Sequence, residues 1–395
     1  MPDEAVNSGY WPNSGQDRAI GLSGRNVHGG PMKQTTLDGG QKKKGIEYKV
    51  YKAKRILNKY KHVDSWFWNK YSAHPYTGCE HACEYCYARA DKYLHTDTPD
   101  DFSRIIKVKK NAAKLLRKEL QKVKKNVIVT GNYQPAEKRF GLSRKMLEVV
   151  RDYTFPVHII EKSDLVVKDL DIIKEIHEKA WACVSFSFST VDEDVSQVFE
   201  PIAPSPQRRL KAMKEISNTG VITGANLMPV LPFITDGEEM MEEVVKEVKD
   251  HGGKFVLIGG LTLDDNVKER YFRLLRGKFP ELIPQYEELY GSDPHEHYKR
   301  IAERGEQLCK KYGLLNRIPR YCLNFNQRVA EQLFDTTYRI ELQNPKKAWV
   351  YRRAAWAIDE LDKDIRDVTD LTSIPKVGRK MAVLTENIVN ELRRR

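Results

Sequence analysis

Three of the chain's six cysteines fall in the segment Cys79-Glu-His-Ala-Cys83-Glu-Tyr-Cys86, a Cys-x3-Cys-x2-Cys spacing that sets three thiolates on one short loop. Thiolates are soft ligands, suited to zinc and to iron–sulfur clusters. A structural zinc site draws on two ligand pairs separated by a dozen or more residues. No second Cys pair exists here, so His74 or His81 would have to complete a cramped site. A four-iron cluster on three cysteines fits better, because it leaves one iron without a protein ligand and open to a small chelating cosubstrate. An open coordination position implies chemistry as well as scaffolding.

The elements that must position this loop follow from apolar periodicity. Residues 111–125 set Ala112, Leu115, Leu116, Leu120 and Val123 on one helical face, and residues 126–130 read as a short strand. Ser143 is the expected N-cap of a helix carrying Met146, Val149 and Val150, and residues 156–160 form the next strand. The rhythm continues through helix 169–180, strand 183–189, helix 206–218, strand 221–228, helix 238–251 and strand 255–259. This alternation predicts an α/β fold, a partial parallel (β/α) barrel with its functional loops at the carboxyl ends of the strands. Thr130, Gly131 and Asn132 then end one strand and Lys162 the next, while Ser187 and Ser189 share a face by period two. Each has a plainer reading: Thr-Gly-Asn is a common turn, and Lys162 a solvated charge. The segment from Glu200 to Arg209 is either a substrate-side loop or an internal ion pair, and its prolines favour the ion pair. The aromatic run Trp66-Phe67-Trp68 reads as a buried strand or packed cover, with base stacking as the alternative.

At 395 residues, 40% of them hydrophobic, the chain has enough for a real core and for two or three units. Residues 1–47 are rich in Gly, Pro, Asn, Ser and Lys and read as a basic, flexible arm; residues 48–325 form the barrel domain. From about Asn326 the strand patterns stop, and residues 326–395 form a small all-α domain. The 67 Lys and Arg against 55 Asp and Glu give a net charge of +12, which favours a polyanionic partner, nucleic acid first. No apolar run is long enough for a membrane span, and the N-terminus has neither a basic n-region nor an apolar h-region. The expectation is a cytoplasmic protein with no membrane partner.

With Tyr85 before its last cysteine, the loop resembles the radical SAM signature, and its surroundings resemble the subfamily related to spore photoproduct lyase. Further matches are Val129-Thr-Gly-Asn-Tyr-Gln-Pro-Ala-Glu137, Glu161-Lys-Ser163, Ser187-Phe-Ser-Thr-Val-Asp192, Glu200-Pro-Ile-Ala-Pro-Ser-Pro-Gln-Arg-Arg-Leu210 and Met228-Pro-Val-Leu-Pro232. The resemblance covers roughly residues 35–325. It implies a [4Fe-4S] cluster on Cys79, Cys83 and Cys86, with S-adenosylmethionine (SAM) on the unique iron. One-electron reduction, by a donor such as flavodoxin or ferredoxin, then yields methionine and a 5′-deoxyadenosyl radical. Tyr85, Thr130, Gly131, Asn132, Lys162, Ser187 and Ser189 become the candidate cofactor-binding residues, Lys162 as the cation for the methionine carboxylate. The spore enzyme uses a cysteine hydrogen donor several tens of residues after its cluster, whereas residues 126–136 contain none. Tyr133 and Cys322 are the remaining candidates for a hydrogen relay.

The C-terminal segment Leu371-Thr-Ser-Ile-Pro375-Lys-Val377-Gly378-Arg379-Lys380 reads as a helix, a tight turn and a second helix whose first amides suit a phosphate. Cations in that first turn oppose the helix dipole, which is easier to explain if an anion binds. The segment resembles the helix-hairpin-helix region of family X DNA polymerases, with Lys376 in place of the usual first glycine. The position of that family's Schiff-base lysine is Leu384, so nucleic-acid binding through Pro375, Val377, Gly378, Arg379 and Lys380 is implied while lyase chemistry is not. The alternative is a helical packing domain in which Gly378 merely allows the turn. The leading expectation is a radical SAM enzyme that repairs or modifies DNA bases. RNA or protein as substrate, and a non-catalytic iron–sulfur binding protein, are the alternatives.

Overall fold

The computed structural model describes residues 45–94, 96–341 and 344–394. The expected N-terminal arm, apart from its last three residues, lies outside the described residues. Two sheets are present among the described residues. The smaller joins β1 (Glu47–Tyr51), β4 (Tyr76–Thr77) and β5 (Ile105–Lys109) in the order β1-β5-β4. The larger contains β2 (Leu57–Lys59), β3 (Tyr71–Ala73), β6 (Ile128–Gly131), β7 (Val157–Glu161), β8 (Ala182–Phe188), β9 (Ile222–Val230) and β10 (Val256–Gly260), in the order β10-β9-β8-β7-β6-β3-β2. From β3 to β10 every neighbour is parallel, and only the edge strand β2 runs antiparallel.

Spatial order follows chain order. Right-handed crossovers therefore all fall on one side of the sheet, and the other side is left concave. Along the chain come α1 (Ala112–Leu120), α2 (Ala136–Phe140), α3 (Leu142–Asp152), α4 (Leu170–Lys179), α5 (Glu193–Phe199), α6 (Pro206–Ser217) and α7 (Glu238–Asp250); α2 packs against the smaller sheet and α5 against Cys83 and Tyr85, and the other five form the outer layer. Strand residues Ile128, Val157, Ile159, Val184, Phe186, Ala225, Leu227 and Ile258 pack there against Leu116, Met146, Ile173, Met213 and Val244. By strand register, His158, Cys183, Ser185, Ser187, Gly224 and Asn226 lie on the opposite, concave face.

Beyond β10 come α8 (Asp265–Lys278), α9 (Ile283–Gly291), α10 (His295–Tyr312), α11 (Phe325–Glu341), α12 (Pro345–Asp359) and α13 (Arg379–Arg394). The named strands thus end at Gly260, well before the expected change of class near Asn326. Helices α8 and α9 bring Tyr271, Phe272, Leu275 and Tyr286 against Cys83, Tyr85 and Ala90. The C-terminal helices occupy the other end of the barrel. Val329, Phe334, Ala354, Ile358, Ile374 and Val377 pack with Trp66, Trp68, Val127, Trp181 and Phe255, which stand at or before the amino ends of the strands.

Two local expectations are corrected. Ser143 does not cap α3; the helix begins at Leu142, and the Glu137 carboxylate accepts from the Leu142 and Ser143 amides at 3.1 Å each. The aromatic run is a turn and not a strand, because Asp64 accepts from the Trp66 and Phe67 amides and closes it. Its burial is as expected: Trp68 is 1% exposed and donates its indole N–H to the Ile318 carbonyl at 2.8 Å.

Candidate active site

The cysteine loop leaves β4 through Gly78, whose φ of +87° is left-handed and whose absent Cβ would stand 2.8 Å from the Ile105 and Phe102 carbonyls. Backbone bonds then anchor both limbs: Cys79 N–H donates to Phe102 and Glu84 N–H to Phe199. Glu80 and Gln134 tie the loop to the turn after β6. The Glu80 amide donates to Gln134 Oε1, Gln134 Nε2 donates to the Gly78 carbonyl, and the Glu80 carboxylate accepts from the Ala136 amide at 2.7 Å. Buried Arg89 closes the far side, donating to the Cys83 and Pro99 carbonyls.

None of these bonds uses a sulfur, and none of the three cysteines is in a disulfide. Burial raises the Cys79 thiol pKa, and the neighbouring Cys83 and Cys86 raise it further; burial pushes Cys83 up to about 12. Three thiols on one fixed loop are a donor set whose thiolate charge a polynuclear metal cluster would neutralise. Each thiolate binds its own iron in such a cluster, so the sulfurs need a shared loop and not a single point of convergence. The residues present fit an iron–sulfur cluster.

Beside the loop, the ends of β6 and β7 are clipped together by Glu161, which sequence reasoning did not single out. Its carboxylate accepts from the amides of Tyr133 at 2.7 Å, Lys162 at 3.3 Å and Ser163 at 3.4 Å. Burial raises its pKa to about 7 despite these donors. Gly131 is required by the close approach of the strands, since a Cβ there would sit 2.4 Å from the Ile160 carbonyl. Asn132 turns through a positive φ of 80°. The Thr130 hydroxyl is committed to the Ala73 carbonyl at 2.8 Å, which corrects its assignment as a side-chain ligand and leaves its backbone.

Glu200 is the hub of the opposite wall. Its carboxylate accepts from the Tyr85 hydroxyl, from Ser189 Oγ at 3.2 Å and from Arg209, and it pairs with Lys162 Nζ at 3.4 Å. The ion-pair reading of the Glu200 to Arg209 segment is therefore what the structure contains. Lys162 is 13% exposed and also lies 5.6 Å from the Tyr85 ring centroid, which corrects the solvated-charge alternative. Burial alone would raise the Glu200 pKa, yet Arg209 and Lys162 hold it at about 2. Its contribution to stability is thus complete above the ordinary value of 4.5 and is lost as pH falls toward 2. Two cations share one carboxylate, leaving a net positive charge beside the cysteine loop.

Ser187 faces the concavity, above a polar floor in which Ser185 Oγ pairs with His158 Nε2 and accepts from Asn226 Nδ2, both at 2.8 Å. The Asn226 Oδ1 is buried without a hydrogen-bond partner among the described residues. A signal for this floor was present in the serines at 185, 187 and 189, every second position of an apolar strand. The two hydrogen-relay candidates are corrected. Tyr133 is 1% exposed in the outer core, with its hydroxyl given to Asp169 at 2.8 Å and its pKa raised by burial and by that carboxylate. Cys322 lies at the opposite end of the barrel: it follows Tyr321, which packs on Trp181 just before β8, and burial pushes its thiol up to about 12.

In the C-terminal domain, Lys376 takes the left-handed conformation, with φ of 67°, where the resembling motif has glycine. Gly378 does not need it, and a Cβ there would meet open space. That corrects the reading in which Gly378 only permits the turn. Pro375, Gly378, Arg379 and Lys380 are exposed at the start of α13, whereas Val377 is 2% exposed in the core and offers no side-chain contact to a ligand. Its role is to anchor the turn.

Residues 74–244 match the Radical SAM superfamily, and residues 324–393 match a helix-hairpin-helix domain. An uncharacterised protein of Methanocaldococcus jannaschii is 30% identical over 200 residues, covering 50% of this chain and 73% of that protein. An uncharacterised protein of Mycobacterium tuberculosis is 29% identical over 280 residues, covering 68% and 82%. Among solved structures, a spore photoproduct lyase variant overlays with a TM-score of 0.45 at 17% identity, covering 59% of this chain and 66% of the lyase. Another, bound to AdoMet and dinucleoside spore photoproduct, gives 0.44 at 17% identity over 58% and 66%. The match spans just under two thirds of those lyase chains. No helix among the described residues is long and apolar enough to cross a membrane. With the cysteine loop inside the matched domain, the chain belongs to the radical SAM superfamily, whose enzymes use SAM with an iron–sulfur cluster, and it carries a C-terminal helix-hairpin-helix domain.

Proposed function

We propose that this enzyme repairs or modifies bases in DNA, with a [4Fe-4S] cluster on Cys79, Cys83 and Cys86 and SAM as cosubstrate. The observation that carries the reading is an unmatched positive charge beside a free three-thiol loop, in a chain that also exposes a basic helix-hairpin-helix turn. When bound and reduced, the cluster supplies the electron that splits SAM into methionine and a 5′-deoxyadenosyl radical. Lys162 holds the methionine carboxylate, and Arg209 remains to neutralise Glu200. Glu161 fixes the β6 and β7 ends so that the backbone of Thr130, Gly131 and Asn132 presents its polar groups to the methionine part. Tyr85 forms the wall behind the cofactor, and Ser187 faces the substrate side from the concave surface. Ser189 is a positioning residue, acting through Glu200. An electron donor such as flavodoxin or ferredoxin completes the system, and the helix-hairpin-helix turn holds a backbone phosphate.

Lys162→Ala is expected to weaken SAM binding by about 10- to 100-fold, the worth of a charge-assisted hydrogen bond of roughly 1.5–3 kcal/mol. Iron content should be unchanged, so an equilibrium SAM titration alongside iron analysis separates cosubstrate binding from cluster loss. For the DNA turn, Arg379→Ala with Lys380→Ala should reduce the salt slope of duplex affinity by about one or two units and affect all sequences alike, as positioning contacts do. Fluorescence anisotropy at several salt concentrations reads this directly. The decisive test of function is the product formed when reduced, reconstituted protein meets SAM and irradiated or undamaged duplex DNA. Altered bases together with 5′-deoxyadenosine support the proposal; turnover that requires RNA or a protein instead overturns it.

A further inference from the structure

The cysteine loop and the C-terminal helices sit at opposite ends of the barrel, and a basic surface connects them. Residues 48–61 contain six Lys or Arg and no acid, and residues 102–125 contain ten with one acid, Glu119. These two segments lie side by side. Lys110 N–H donates to the Tyr51 carbonyl, Asn111 exchanges hydrogen bonds with the Ala53 backbone at 2.8 and 2.9 Å, and the Glu119 carboxylate accepts from the Ile56 and Leu57 amides. The single acid is therefore spent on backbone, and residues 51–57 follow α1 along its length.

The side chains left outside form two rows. Lys52, Lys54, Arg55, Lys59 and Lys61 make one; Lys110, Lys114, Lys118, Lys122 and Lys125 make the other. All ten are exposed, and none has an ion-pair partner among the described residues. Arg117 and Lys124 share the surface but are paired with Asp152 and Asp362. At one end, β5 pairs with β4, where Thr77 precedes Gly78 and the cysteine loop. At the other, the Lys61 carbonyl accepts from Lys70, Lys70 pairs with Glu360, and Lys124 reaches Asp362 in the C-terminal domain.

We propose that this two-row face, formed by residues 52–61 and by α1 with its flanks (residues 110–125), is a track for the sugar-phosphate backbone of duplex DNA, leading from the helix-hairpin-helix turn to the cysteine-loop end of the barrel. The proposal rests on the nucleic-acid reading above and adds the surface by which the two ends act on one ligand. Like charges at this density repel one another, so the face is stabilised by a regular polyanion. The nine residues of α1 span about 13 Å at about 1.5 Å per residue. A duplex carries about one charge per 3.4 Å on each strand, so roughly four phosphates of the strand facing the protein pass along that length, a number the free cations in and around α1 can match.

The test removes five track charges with Lys54→Ala, Arg55→Ala, Lys114→Ala, Lys118→Ala and Lys122→Ala in the full-length, reconstituted protein. Alanine keeps α1 helical. A control variant removes five exposed lysines from α6, α7 and the turn before β10 (Lys211, Lys214, Lys246, Lys249 and Lys254) for the same change in net charge. The track variant is expected to lose about two to four units of salt slope, at about 0.9 per phosphate, while keeping its iron and its DNA-independent SAM cleavage. The control should keep the wild-type slope. Equal losses in both variants reduce the track to a net-charge effect and overturn it. A track variant with wild-type slope, beside a weakened Arg379 and Lys380 variant, overturns the track alone. Absence of duplex binding by the wild-type protein overturns the nucleic-acid reading and the track with it.

Discussion

Replacing any one of Cys79, Cys83 or Cys86 by Ala is expected to strip the protein of its iron and to take 5′-deoxyadenosine formation to background, while the chain stays folded. Both halves have a structural cause. The loop is held by backbone bonds to Phe102 and Phe199, by the Glu80 and Gln134 exchange and by Arg89, none of which involves a sulfur. Removing a thiol therefore leaves the loop in place and deletes one of three cluster ligands. Circular dichroism and thermal midpoint should match those of the cluster-free wild type, while anaerobic reconstitution gives no iron–sulfur absorption. An alanine variant that retains a full cluster, or a wild type that takes up stoichiometric zinc with no iron chromophore, contradicts the assignment.

How much of this was legible in the sequence depends on whether a residue's role is local. The cysteine spacing is local and was readable as a cluster loop. The strand and helix alternation between residues 112 and 260 was readable because parallel strands buried on both faces leave apolar runs between amphipathic helices. Roles created by long-range contact were not readable. Thr130 and Tyr133 stand at a strand end as expected, yet their hydroxyls are drawn to Ala73 and Asp169 by neighbours that no local pattern reveals. Cys322 was open as a relay candidate only while its end of the barrel was unknown. Conversely, Glu161 gained its role because three residues from two strand ends converge on one carboxylate. Lys376 shows the limit of motif reading: lysine took the left-handed position expected of glycine, at a strain that its neighbours must offset.

Deleting residues 326–395 is expected to leave an insoluble or cluster-free protein, and not a barrel that merely binds DNA less well. The reason is what those helices cover. Val127, Trp66, Trp68, Trp181, Phe255 and Ile318 are each at most 6% exposed and share one core with Val329, Phe334, Ile358 and Val377. At about 2 kcal/mol for each buried side chain, uncovering these six puts about 12 kcal/mol at risk, comparable with the whole stability of an ordinary domain at about 5–15 kcal/mol. Polar ties fail as well. Arg320 loses its buried partner Asp359, Lys70 loses Glu360, and the Val63 carbonyl loses the Trp356 indole donor. The same aromatic turn leads through β3 and β4 directly into the cysteine loop, so disorder at the amino end of the barrel propagates toward the cluster. Solubility, iron content and uncoupled SAM cleavage of the truncated chain measure the effect together. A soluble truncation with wild-type thermal midpoint and full cleavage would make the C-terminal helices an appended module; the contacts with Trp66, Trp68 and Trp181 instead make them the floor of the barrel, fixing the DNA-binding turn relative to the site of chemistry.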